Sequence, residues 1–143
     1  MPIAALITWV ITAALGTYMV ATWRKHGGLQ GGSATTHLPP VRVFTHLGLA
    51  VVGLLVWIVF VVTGMAVWAW VAVADLVLVA LLGAILVRRW IVDGRQAMSG
   101  AASASSVELA EQHIARAPVV LHGVFASTTV VLVLLTALGV GTG

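Results

Sequence analysis

Cysteine is absent from the chain. With it go disulfides, thiolate chemistry, iron–sulfur clusters and covalent haem attachment through a Cys-x-x-Cys-His motif. Charge is nearly as scarce. Only 8% of the 143 residues are charged, where a soluble globular domain carries about a quarter. Acidic residues are the scarcer sign, four against seven Lys and Arg, for a formal net charge of +3. That excess does not make the chain a nucleic-acid binder, because the basic residues stand at the ends of apolar runs. No nucleophile–base pair and no metal–carboxylate cluster stands out in the sequence, which argues against a membrane enzyme. No inverted repeat with broken helices marks a transporter.

What remains is apolar. Hydrophobic residues make up 61% of the chain, and the mean hydropathy is +1.12. A bilayer-spanning helix needs about 20 predominantly apolar residues. Four runs of that kind occur, near residues 3–23, 41–62, 68–87 and 118–138. The expectation is an all-α integral membrane protein, a four-helix transmembrane up-down bundle forming a single membrane domain over residues 1–143. It would be multi-pass in the cell membrane, with the lipid bilayer as its first partner and no nucleic acid. Pro39-Pro40 suits the start of the second span, since proline is tolerated in a first turn. The link between the second and third spans is so short that these two must be antiparallel neighbours.

All seven Lys and Arg residues lie within or at the edges of two polar stretches, 24–40 and 88–117. The positive-inside rule makes both stretches cytoplasmic loops and leaves both termini outside. In the first span the charges follow the apolar run, as Arg24-Lys25-His26. That is the reverse of a signal peptide, so it reads as a retained span. The second loop holds Ser105-x-x-Glu108, the spacing of a capping box, with Val107, Ala110 and Ile114 on one stripe. A short amphipathic surface helix before the last span is expected there, with Glu108 and Glu111 solvated and His113 on its polar side. His26 and His37 read as solvated loop residues. Trp9, Trp68 and Trp70 near one interface, and Trp23 and Trp90 near the other, read as an aromatic belt. Asp75 is the one acid inside a span. It reads as an interfacial residue near the positive end of a helix dipole, or functionally as a proton acceptor.

Two rings inside apolar runs ask for a different account, because ionisable groups within a membrane are costly. His46 is followed by Ala50 at i+4 and Gly53 at i+7, and His122 by Ala126 at i+4 and Thr129 at i+7. Positions so spaced share one helix face, so each imidazole heads a strip of small side chains. At 1.5 Å per residue, both rings lie roughly 6–9 Å past the basic anchors Arg42 and Arg116. In an up-down bundle the second and fourth helices share a diagonal, so two imidazoles can reach one metal from opposite sides. Haem b, with His46 and His122 as axial ligands, is the cofactor such a pair suggests. Ala50, Gly53, Ala126 and Gly83 would give a porphyrin room, with Ala80 and Ala84 beside Gly83, and Ala13, Ala14 and Gly16 on the first helix. Arg42, one turn from His46, would pair with a propionate, with Arg116 as second choice.

His46 with Gly48 and a closing Thr63-Gly64, and His122 with Gly123 and a looser ending at Thr136 and Gly139, resemble the small four-helix bis-histidine membrane cytochromes b. The resemblance covers the second and fourth helices. It implies a b-type haem-binding electron-transfer protein or cytochrome subunit, with quinone or a larger respiratory or other membrane complex as partner. Members that carry electrons across a membrane use a second histidine pair near the outer surface, and this chain has none there. One haem near the cytoplasmic side is therefore the most that the resemblance implies. The competing expectation is a non-catalytic membrane subunit that packs against a larger complex without a cofactor, a role the same Gly- and Ala-rich faces would serve.

Overall fold

A computed structural model describes residues 1–30, 35–99 and 108–140. Four helices account for most of them: α1 (Pro2–Lys25), α2 (Pro40–Thr63), α3 (Ala66–Met98) and α4 (Arg116–Ala137), with a short 3-10 turn at Ala110–His113. All four are long and apolar enough to cross a membrane. Proline sets two of the starts, with Pro2 and Pro40 in the first turns of α1 and α2, where a missing N–H loses no helical bond. Gly64 ends α2 with φ +66, its N–H bonding the Phe60 carbonyl at 2.8 Å. Glycine enters that left-handed region without a Cβ clash, so the chain reverses over Gly64 and Met65 alone.

The third helix departs from expectation. It was to end near Val87, and it runs unbroken to Met98. Arg88, Arg89 and Arg95 end the apolar window, yet arginine is a good helix former. Even Gly94 faces open space without interrupting the helix. The extra turns carry Trp90 and Asp93 beyond the apolar section, where both make contacts described below.

Helix α1 lies along α4 and also touches α2, while α3 lies along α2 and also touches α4. The pairs α1–α3 and α2–α4 make no close backbone approach. The cross-section is therefore a square with α2 and α4 on one diagonal. Toward the chain termini the interior is packed by Ala5, Trp9, Trp57, Phe60, Ala72 and Val133. Toward the two long connections it is packed by Trp23, Leu38, Val43, Ala110 and Ile114. Small residues at Ala5, Ala69, Ala72 and Gly53 let the backbones approach, and bulky indoles fill what is left.

Several expectations about the connections and the aromatic residues need correction. Trp9 and Trp23 are not interfacial anchors: both are buried, with indole N–H groups donating to the Ala50 carbonyl and the Thr36 hydroxyl. A buried indole needs such a partner, and the polypeptide supplies it. Trp70 is exposed. The expected surface helix is absent among the described residues, Ser105 and Val107 lying outside them. What the structure has there is the 3-10 turn, tucked against α1 and α3. The Ala110 N–H bonds the Thr35 carbonyl at 2.9 Å, and the Gln112 side chain accepts from the Leu109 N–H at 3.1 Å. The apolar stripe of Ala110 and Ile114 did signal burial, but against protein.

Candidate functional site

His46 and His122 meet across the α2–α4 diagonal. Their ring centroids lie 6.3 Å apart with the planes inclined at 57°. Each ring is steered by a carbonyl on the helix beside it. His46 Nδ1 bonds the Val79 carbonyl of α3 at 3.0 Å, and His122 Nδ1 bonds the Thr12 carbonyl of α1 at 3.0 Å. A carbonyl can only accept, so Nδ1 carries the hydrogen in both rings and Nε2 keeps its lone pair. Among the described residues nothing bonds either Nε2. This is the arrangement in which a histidine is oriented for a metal, its other nitrogen tied to the backbone. Two bonds of about 2 Å, plus roughly 1.1 Å from each nitrogen to its ring centre, span about 6 Å across a single ion. The observed separation fits that requirement.

Glycines make the rings fit. A Cβ on Gly83 would lie 3.1 Å from His46 Cε1, and one on Gly16 would lie 3.2 Å from His122 Cε1. Gly83 thus clears space for an imidazole. Ala80, Ala84 and Ala14 are exposed on the outer faces of their helices, so they do not line the interior. Gly48 and Gly123, the glycines next to the histidines in sequence, meet nothing within 4 Å. Of the remaining expected residues, Ala50 gives its carbonyl to Trp9 at 3.2 Å, and Ala126 is half-buried beyond His122. Gly53 lies under the Asp75 carboxyl group and the Trp9 ring, where any Cβ would collide with both. Asp75 therefore points inward, and its buried Oδ2 has no hydrogen-bond partner. Arg42 is exposed and has no side-chain partner among the described residues, while Arg116 reaches the Met98 sulfur at 3.4 Å.

The two histidine environments match because the chain repeats itself, a signal legible in the sequence and not anticipated from it. In one register, Ala5, Ala13, Leu15, Gly16, Val20 and Trp23 of α1 fall on Ala72, Ala80, Leu82, Gly83, Val87 and Trp90 of α3. In a second, Val43, His46 and Ala50 of α2 fall on Val119, His122 and Ala126 of α4, and His37-Leu38 falls on His113-Ile114. The carbonyls that accept from the rings obey the first register too, Thr12 corresponding to Val79. The chain thus reads as two helical hairpins in tandem, α1–α2 and α3–α4. Each hairpin's second helix lies along the other hairpin's first, so every ring is held by the opposite hairpin.

At the far end of the bundle the connections are tied down by a polar network. Glu111 is fully buried, contrary to its expected place on a solvated face. Its carboxylate accepts the Thr36 hydroxyl at 2.7 Å and the His37 N–H at 2.6 Å. The Trp90 indole donates to the Glu111 carbonyl at 3.0 Å. His37 is likewise no free loop residue, since its Nδ1 lies 3.1 Å from Asp93 Oδ1, with the Arg89 Nε 3.5 Å from the other oxygen. At the related corner the His113 and His26 rings stack at 3.9 Å, and exposed Glu108 reaches His113 Nε2 at 3.6 Å. Comparison with family models, curated proteins and solved structures gave no match.

Proposed function

We propose that this chain is a multi-pass membrane protein, both termini outside, that binds one haem b between His46 and His122 and serves as an electron-transfer protein or cytochrome subunit near the cytoplasmic face. The observation that carries the reading is the facing pair of imidazoles, each with Nδ1 tied to a backbone carbonyl and Nε2 left for a metal. When bound, the haem would supply one-electron exchange at its iron. His46 and His122 would be the residues that hold it. The Val79 and Thr12 carbonyls fix the ring orientations and strengthen the imidazoles as donors. Exposed Arg42, one turn from His46, is the cation for a propionate.

The membrane part of the proposal rests on the outward faces. Leu55, Leu81, Val120 and Val131 stand exposed among many other large apolar side chains, a surface suited to lipid rather than water. Exposed hydroxyls at Thr17, Thr22, Thr63, Ser127 and Thr128 return their bonds to their own helices, which removes the cost of a polar group in hydrocarbon. Clustered Lys and Arg on the two long connections support the orientation. Quinone is the small partner that a single haem near one face would suit.

A visible spectrum tests the cofactor directly. Protein purified from haem-replete cells is expected to show a sharp Soret band, with α and β bands on reduction. His46→Ala and His122→Ala should each abolish them. A colourless protein would reject haem and leave a packing subunit as the reading, and bands that survive both substitutions would reject His46 and His122 as its ligands.

A further inference from the structure

His37 on the first connection, Asp93 near the end of α3 and Glu111 in the 3-10 turn each offer one ligand atom, and these atoms all lie within 4.8 Å of one another. Asp93 is 3% exposed and Glu111 0% exposed. Buried carboxylates are costly unless a positive charge meets them. Among the described residues the one guanidinium beside them is that of Arg89, half-exposed and 3.5 Å from Asp93 Oδ2. That oxygen is buried and still receives no hydrogen bond. Among the described residues, the donors that meet the Glu111 carboxyl group are neutral, the Thr36 hydroxyl and the His37 N–H. Two buried carboxyl groups thus converge where one displaced cation stands, a place that a metal ion would fit.

The matching corner shows that joining a connection to a helix end does not require acids. There His113 stands in the place of His37, His26 in that of Asp93 and Thr35 in that of Glu111. The corner closes by stacking two imidazoles. The buried carboxylates are peculiar to one side, so fastening the loop does not account for them.

We infer that His37, Asp93 and Glu111 form a site for one divalent transition-metal ion, Zn²⁺ being the best matched and Mn²⁺ next. One imidazole and two carboxylates, with no sulfur, make a donor set of that class. His37 Nδ1 and Asp93 Oδ1 are 3.1 Å apart, a separation that two donors on one ion show when each bond is about 2 Å. The ion takes the place of the proton shared there. Arg89 is exposed enough to swing outward or to hold the outer Asp93 oxygen. Once seated, the ion pins the segment that leads into α2, the 3-10 turn that precedes α4 and the end of α3 to one point. The site stands whether or not haem binds between His46 and His122.

The test uses the full-length protein in detergent, tag removed and stripped with a chelator, then titrated with Zn²⁺ or Mn²⁺ by calorimetry and by metal analysis after desalting. One saturating equivalent is expected. His37→Ala and Asp93→Asn should each weaken it by more than about tenfold, the smaller loss already typical of residues that only orient a ligand. His113→Ala at the matching corner should leave it unchanged. X-ray absorption on the zinc-loaded native protein, which requires no variant to fold, should show one imidazole among oxygen donors. The site is overturned by the absence of saturable binding of either ion. It is equally overturned by binding that survives both substitutions, or by a zinc shell without imidazole.

Discussion

The two hairpins are alike at one level of the bundle and unlike on either side of it. At the histidine layer, the His46, Val79 and Gly83 set on one side answers the His122, Thr12 and Gly16 set on the other, with equal hydrogen-bond lengths. Two turns toward the termini the match breaks. Thr129 bonds Thr8 at 2.9 Å between α4 and α1, whereas the corresponding place between α2 and α3 has Asp75 over Gly53. At the connections it breaks again, into a buried acid cluster on one side and stacked imidazoles on the other. Three of the chain's four acids, Asp75, Asp93 and Glu111, stand with buried oxygens at these breaks. The likeness holds where the two imidazoles meet and is lost where the buried acids stand.

The largest effect expected from this comparison is at the histidine layer. Haem absorbance should vanish alike in His46→Ala and in His122→Ala, and persist in His37→Ala and His113→Ala. A spectrum that depended on only one of the two histidines would break the likeness of the two sides while leaving the fold untouched.

The next effect lies at the broken layer. Gly53→Ala drives a methyl into the Asp75 carboxyl group and the Trp9 ring and should cost about 1–3 kcal/mol by overpacking. Thr129→Ala, at the matching place, should cost about 0.5–1.5 kcal/mol, the worth of one hydrogen bond. Thermal unfolding in detergent gives both. Asp75→Ala should restore part of what Gly53→Ala loses, and failure to do so would place the strain at Trp9 instead.

At the connections, Glu111→Gln removes a buried charged acceptor and should destabilise by about 1–3 kcal/mol. Glu108→Gln, on an exposed side chain, should leave the melting temperature unchanged. Equal losses in the two would mean that the corners are not as different as their burial implies. At the histidine layer itself, Gly83→Ala and Gly16→Ala each ask an imidazole to give way by a few tenths of an ångström, at about 1 kcal/mol. The two values should agree, because the clearances are 3.1 and 3.2 Å.

The four apolar helices were legible before any coordinates, because sustained hydrophobicity over twenty residues has few other meanings. The diagonal meeting of His46 and His122 was legible too, since depth and helix order follow from rise per residue and short links. The end of α3 was not. Hydropathy reports where a helix stops being apolar, and Arg88, Arg89 and Asp93 continue it as polar turns. Nor could the sequence reveal Gly16 and Gly83 as the clearances for the rings, because a ring touches a neighbouring helix at a place set by packing. The direct repeat was visible in principle. Its identities are mostly common apolar types, and Trp23 with Trp90 and His37 with His113 were the informative ones.

The amino-acid sequence alone determined that this chain forms long apolar helices and has two imidazoles within them at similar height. Only the tertiary structure decided that each ring is aimed by a carbonyl of the opposite hairpin, and that His37, Asp93 and Glu111 converge. The reason is physical. Hydrophobicity and helical periodicity are local properties carried by adjacent residues. Hydrogen bonds and charge clusters between distant segments exist only once packing has chosen which faces meet.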